Sequence, residues 1–437
     1  MDRIRFGLWF GLLAAVWISY TTWVEDNRPA TTPVIGVEQP TPTADELPAA
    51  IDGGDLPGIG TGQSNVPELT AADEPATPGR LISVQTDVLD LRINLDGGDI
   101  VRADISAYPV DKANPDVPVR LLDYAAETFW VMQTGMVSLP DTPAPTHQQP
   151  FSADRDSYRL ADGAESLEVH LVWSGPNGLG AEKVYTFRRG QYAIDLELIV
   201  RNQGDEAWPA RAYAQMTRLH DPAGRTFMDV DSYSFHGPVL YDGDKYEKID
   251  FDDLQTQRVE QIVPNGWLAS IQHHFLAAIV PVNEEPTTYE ARAIGPRYRL
   301  RALSPDKIVA AGSELHYPLT LFVGPKIQDQ LTAAAPGREL KLTVDYGKLT
   351  VLSQPLFWVL SLVHDWVKNW GLSIILTTFL IKLAFYKLTA TSGRSMAKMR
   401  KLAPRMKALQ EKHKEDRAAL SQAMMDLYKR EKVNPAA

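Results

Sequence analysis

Two apolar runs, Phe6 to Val24 and Trp370 to Leu388, stand at opposite ends of a long acidic stretch and constrain the fold more than any other feature. Each is 19 residues long, close to the ~20 that an α-helix needs to cross a bilayer. The mean hydropathy of −0.22 suits a soluble chain and conceals both runs. Arg3 and Arg5 precede the first run while Glu25 and Asp26 follow it, so the positive-inside rule predicts a cytoplasmic N-terminus. A cleaved signal peptide shares that pattern. The run's length, its aromatic residues Trp9, Trp17, Tyr20 and Trp23, and the lack of a small-residue cleavage site favour an uncleaved transmembrane signal anchor over 1–24.

Charge divides along the chain. The net charge of −11 hides a segment, 25–79, with ten acids against Arg28 alone and nine prolines. It has no hydrophobic period with which to offset ordering entropy, so a disordered acidic linker is expected there. From Lys382 to the end, fourteen bases face five acids. An acidic body with a basic tail makes a poor general nucleic-acid binder, so no nucleic acid is expected as a specific ligand. With no cysteine, disulfides, thiolate metal sites and cysteine nucleophiles are excluded.

Between the runs the pattern is strand-like. Leu89, Leu91, Ile93 and Leu95 alternate with polar residues, and Asp96-Gly97-Gly98-Asp99 supplies a turn before Ile100 to Ile105. Leu167–Trp173, Lys183–Arg188, Tyr192–Asn202, Trp267–Val280 and His316–Val323 read the same way, predicting one large antiparallel β-sandwich over 80–347. Its histidines are His147, His170, His220, His236, His273, His274 and His316. None has metal-ligand spacing, and no nucleophile-elbow, P-loop or dinucleotide motif occurs. On a continuous strand, His273 and His274 would point to opposite faces and one could line a pocket.

After Gly347 the period becomes helical. Ser353 is a candidate N-cap, Pro355 fits a first turn, and Gln354, Ser361, His364, Asp365 and Lys368 oppose Leu352, Leu356, Val359, Leu360, Val363 and Val367. With Trp358, Trp366 and Trp370, this predicts an amphipathic interfacial helix over 348–369; packing on the sandwich is the competing reading. A transmembrane helix over 370–388 follows, apolar but for Ser373, Thr377, Thr378, Lys382 and Lys387. Lys387 suits an interfacial anchor. Lys382, about 7 Å deeper at ~1.5 Å per residue, either snorkels to the headgroups or stands in a hydrated cavity. In the tail, Met399, Leu402, Met406 and Leu409 form one helical seam, distorted near Pro404, and Leu420, Met424 and Leu427 a second. They predict a basic helical hairpin over 389–437.

Several segments, in one order, resemble the YidC family of membrane protein insertases. They are Arg80-Leu-Ile-Ser-Val-Gln-Thr-Asp-Val-Leu-Asp-Leu, Val323-Gly-Pro-Lys-Ile-Gln-Asp, Leu342-Thr-Val-Asp-Tyr-Gly, Ser353-Gln-Pro-Leu-Phe, Asn369-Trp-Gly-Leu-Ser-Ile-Ile, Ser395-Met-Ala-Lys-Met-Arg and Glu431-Lys-Val-Asn-Pro. The resemblance implies a mainly β periplasmic domain with a galactose-mutarotase-like supersandwich fold, α-helical membrane segments and a cytoplasmic helical hairpin. It also implies an inner-membrane insertase and chaperone, with no covalent chemistry and no cofactor. Lys382 would be the cation of a hydrophilic groove that binds the client, at a place where many relatives carry Arg, with Thr377 and Thr378 as groove-lining candidates. Lys398, Arg400, Lys401, Arg405 and Lys407 would meet partners on the hairpin. The implied partners are nascent membrane proteins, the Sec translocon, ribosomes or targeting factors, and membrane lipid. Family members continue past the Asn434-Pro435 position into further membrane helices, so a C-terminally truncated portion is expected. The rival reading is a membrane-tethered carbohydrate-binding or mutarotase-like enzyme using His273 and His274.

Overall fold

The computed structural model describes residues 79–111, 113–138, 142–221, 234–344, 350–412 and 417–430. The expected signal anchor, and the expected linker up to residue 78, lie outside these residues. Alternation dictates the strands. In Ser166–Ser174, Val169, Leu171 and Trp173 are buried while His170 and Val172 are not.

Two sheets result. The first, of eleven strands, runs from Val259–Val263 through Thr287–Ile294, Arg297–Leu303, Trp208–Leu219, Trp130–Val137, Asp99–Asp111, Leu89–Asn94 and Leu81–Gln85 to Ser157–Arg159. Lys307–Val309 and Asn114–Leu122 pair beside that path. The second, of nine, runs from Tyr246–Lys248 through Gly237–Tyr241, Trp267–Ile271, Phe275–Pro281, Ser313–Pro325, Ala193–Asn202, Leu179–Arg188 and Ser166–Ser174 to Ser152–Ala153. Pairing is antiparallel except where Leu81–Gln85 meets Ser157–Arg159. One hydrophobic core joins the inner faces, with Trp173 of the second sheet stacked at 6.4 Å on Trp208 of the first.

The Asp96–Asp99 turn is fastened across the core. Gly97 and Gly98 have φ of 93° and 67°, which glycine adopts without penalty, and a Cβ on Gly97 would lie 2.3 Å from the His147 carbonyl oxygen. Lys183, fully buried on the second sheet, donates from Nζ to the Gly97 carbonyl, to Thr134 O at 2.7 Å and to Asp99 Oδ1 at 3.4 Å. Tyr185 donates its hydroxyl to Gly98 O at 2.7 Å. Burial pushes the Asp99 carboxyl up to about 7 and the Lys183 ammonium down, while their mutual attraction opposes both shifts.

His147 is also buried. The Tyr213 hydroxyl accepts from the His147 backbone N–H at 2.9 Å and lies within hydrogen-bond distance of Nδ1, 2.6 Å away. Burial, then the charges of Lys183, Arg301 and Arg299, lower its pKa to about 3. An unfolded histidine gains a proton below pH ~6.5 that the folded one refuses, so this residue's contribution is lost as pH falls. From pH 7 to pH 5 the wild type is expected to lose about 2 kcal/mol relative to His147→Gln. Denaturant melts at both pH values, followed at the buried tryptophans, check this. The difference between the two proteins cancels the opposite trend of Asp99.

Among the described residues, two short helices, α1 (Phe251–Thr256) and α2 (Gln328–Ala334), and a 3₁₀ turn (Leu340–Thr343) accompany the sandwich. Four helices follow: α3 (Thr350–Val367), α4 (Trp370–Ala384), α5 (Tyr386–Lys412) and α6 (Arg417–Arg430).

Two expectations need correction here. Ser353 is not an N-cap, because α3 already includes Thr350, and Pro355 lies inside the helix, where its missing N–H leaves the Val351 carbonyl without its usual partner. The run 370–388 is not one helix. At Phe385 the backbone moves to φ −90°, ψ 4°, and the chain turns by 61° into α5. No glycine or proline marks that position, so side-chain hydropathy reads straight through it. No single described helix is long and apolar enough to cross a membrane; α4 and α5 meet that test only together, across the bend.

Candidate functional site

Helix α4 begins where Asn369 accepts the Leu372 N–H on Oδ1 at 3.0 Å, an ordinary N-cap. Lys368, with φ 54°, ends α3 and donates its N–H to His364 O at 2.6 Å. The His364 ring stacks on Trp370 at 3.7 Å. This tight turn lays α3 against α4.

Burial along α4 inverts the usual pattern. Ser373 and Thr377, 0% and 6% exposed, are the buried residues of α4, whereas Ile374, Ile375, Phe379 and Leu383 are each more than half exposed. Ser373 donates its hydroxyl to Asn369 O at 2.7 Å. A water-soluble helix buries its apolar stripe. Small polar residues inside and large apolar ones outside fit a hydrocarbon surround, where close packing and hydrogen bonds hold helices together. Helix α3 has no buried residue, which counts against packing on the sandwich. Val359, Val363 and Val367 are half-buried, while Trp358, Leu362 and Trp366 form an open stripe, with Trp366 94% exposed.

The three groove candidates therefore part company. Successive helical residues are about 100° apart, so Thr377, turned inward, and Thr378, exposed, face different sides. Lys382 is four residues after Thr378 and shares its stripe, which is exposed. It also occupies the last turn of α4, close to carbonyls released by the bend, where a cation complements the helix dipole. Ser373 was not among the sequence candidates. Its four-residue spacing to Thr377 is the signal that could have found it.

The hairpin bases Lys398, Arg400, Lys401, Arg405 and Lys407 are all exposed on α5, which continues through Pro404. Leu402 is buried, Met399, Met406 and Leu409 are half-buried, and the Tyr428 hydroxyl of α6 lies 3.7 Å from Met406 Sδ. Leu420, Met424 and Leu427 of α6 are half-buried too.

In the sandwich, His273 and His274 do not point to opposite faces of a strand. Trp267–Val280 is two strands, and the Gln272 N–H bonded to Phe275 O at 2.8 Å closes a turn that holds both histidines, their rings 4.1 Å apart. His273 Nδ1 lies 2.8 Å from Ser234 Oγ. His170 pairs with Glu182 and His316 with Glu197, which raises both imidazole pKa values. His220 stacks on Phe251. A buried polar chain was also missed. Arg301 Nε donates to Gln215 Oε1 at 3.1 Å, and Gln215 Nε2 to Gln133 Oε1 at 2.8 Å. Its signal is Arg297-Tyr-Arg-Leu-Arg, which puts three arginines on one face of a strand.

Two family profiles match: one described as the YidC periplasmic domain, over residues 81–359, and one described as 60Kd inner membrane protein, over 362–437. Proteins named "Membrane protein insertase YidC" align over all of this chain. That of Thioalkalivibrio sulfidiphilus is 39% identical and matched over 78% of its own length, and that of Alkalilimnicola ehrlichii is 40% identical over 76% of its length. Among solved structures, a galactose mutarotase-like protein from Lactobacillus casei aligns with 56% of this chain and 99% of its own, at 11% identity and a TM-score of 0.38. The chain belongs to the YidC family of membrane protein insertases.

Proposed function

We propose that this insertase receives the polar segment of an arriving membrane protein along the Thr378–Lys382 stripe of α4. The observation that carries the reading is the division of α4 into an inward seam of Ser373 and Thr377 and an exposed, otherwise apolar surface interrupted by one cation. A charge at membrane depth is costly unless it meets water or a partner. Lys382 in a wet groove would lower the cost of bringing in an acidic client segment, and burial of the client helix in hydrocarbon would drive the rest without nucleotide. Thr377 then serves helix packing rather than the groove. The exposed bases of α5 would meet a ribosome, a targeting factor or anionic lipid, and the Sec translocon would join for larger clients.

The reading is tested by placing a photo-crosslinker at Thr378 and, separately, at Thr377 in the intact protein during insertion of a short client. Client adducts at 378 that exceed those at 377 several-fold are expected. Equal labelling, or labelling at 377 alone, would refute the stripe.

A further inference from the structure

We infer that the outer face of the nine-stranded sheet carries a proton-operated brace. A second ring proton on His170 and on His316 closes a chain of alternating charge, Glu168–His170–Glu182–Arg201–Glu314–His316–Glu197, across four strands.

Strand pairing sets the chain. Side chains two apart share a face, and Val172, Glu182, Ile199 and His316 stand opposite one another in one row across Ser166–Ser174, Leu179–Arg188, Ala193–Asn202 and Ser313–Pro325. In the row on one side Arg201 is opposite Glu314, and the row on the other side holds His170 and Glu197. Every link between strands is therefore to a direct or diagonal neighbour, within reach of long side chains. His170 Nδ1 lies 2.8 Å from Glu182 Oε1, and its Nε2 3.5 Å from Glu168 Oε2. His316 Nδ1 lies 2.7 Å from Glu197 Oε1, and its Nε2 3.3 Å from Glu314 Oε1. Arg201 joins the two halves, with Nη1 2.9 Å from Glu182 Oε2 and Nε 3.3 Å from Glu314 Oε2.

Each imidazole thus has a carboxylate oxygen at both nitrogens. An ionised carboxylate only accepts, and a neutral ring has a single N–H, so one contact at each histidine stays unmade until the ring becomes imidazolium. Four carboxylates then share three cations instead of one. The other charged groups around the chain are accounted for. Arg188 pairs with Asp195 on the same two central strands, and Arg155 pairs with Asp154 at 3.2 Å in the recess that His170 lines. Beyond Ser313–Pro325, the strand Phe275–Pro281 carries no charge; Glu284 and Glu285 follow it, and Glu285 is held by Lys307 at 2.7 Å.

The carboxylates, Glu182 foremost at His170 and Glu197 foremost at His316, raise both imidazole pKa values. A raised folded pKa gives a contribution present below pH ~6.5 and lost as pH rises through the folded value. The brace therefore gains over the range in which buried His147 loses. It fastens the border of the sheet, where only Ser152–Ala153 lies beyond Ser166–Ser174.

The test is hydrogen–deuterium exchange of the intact protein at pH 6 and pH 8, followed by mass spectrometry, with labelling times scaled for the pH dependence of unprotected amides. Peptides from Ser166–Ser174 and Leu179–Arg188 are expected to gain about threefold in protection at pH 6 relative to Trp130–Val137 and Trp208–Leu219 of the other sheet, the scale of exposed ion pairs acting together. The gain should vanish in the double variant His170→Gln/His316→Gln. Relative protection that does not change with pH in the wild type, or the same gain in the double variant, would overturn the brace. Should the double variant fail to fold, His170→Gln alone decides: the gain in Ser166–Ser174 must disappear, and its persistence refutes the brace.

Discussion

Lys183→Met is expected to lower the unfolding free energy of the sandwich by about 3–5 kcal/mol, the usual consequence of removing one partner from a buried ion pair. Methionine keeps most of the aliphatic volume, so little of the loss would come from a cavity. The loss comes from what Lys183 leaves behind: Asp99, 2% exposed, and the carbonyls of Gly97 and Thr134, which lose their ammonium donor. Asp99 would respond by holding its proton to still higher pH. The sign follows from linkage: an acid whose folded pKa is raised loses stability as pH climbs above its unfolded value near 3.9, so the variant's deficit should shrink towards acidic pH. Adding Asp99→Asn should recover most of the loss, because the buried charge is then gone. Urea unfolding of the three proteins at pH 7 and pH 5 checks this. A single-variant cost below about 1 kcal/mol would mean that the pair is not the fastening described.

The second large effect concerns insertion. Lys382→Glu is expected to reduce insertion of an acidic client by more than tenfold, with Lys382→Arg close to normal and Lys382→Ala intermediate. Two opposite charges 4 Å apart interact by about 4 kcal/mol at an effective dielectric near 20, and a reversal turns attraction into repulsion of similar size. Each 1.4 kcal/mol that appears in the barrier is a tenfold change in rate.

The sequence carried the architecture well where side-chain pattern and backbone conformation are tied together. Period-two alternation marks Ser166–Ser174 and Ala193–Asn202 because one face of each strand is buried, and the seam through Met399, Leu402 and Met406 was legible at helical spacing for the same reason. It failed where the backbone departs from that pattern without a telltale residue. The bend at Phe385 has neither glycine nor proline, and the turn at His273–His274 interrupts a run whose apolar residues continue on both sides. Long-range polar pairs were invisible for a different reason. Lys183 and Asp99 are 84 positions apart and on different sheets, so only the packed fold brings them together. At the site, Lys382 stood out as the deeper of two charges in an apolar run. That Thr377 turns away from it while Thr378 does not follows from helical phase, which hydropathy alone leaves open.

The central claim, that the Lys382 charge receives an acidic client segment, is tested most directly by exchanging charges in the intact protein. Lys382→Glu should fail with a client whose leading segment is acidic and regain insertion when that segment's acids are replaced by lysine. Undiminished insertion of the acidic client by Lys382→Glu, or no recovery with the basic one, would contradict it.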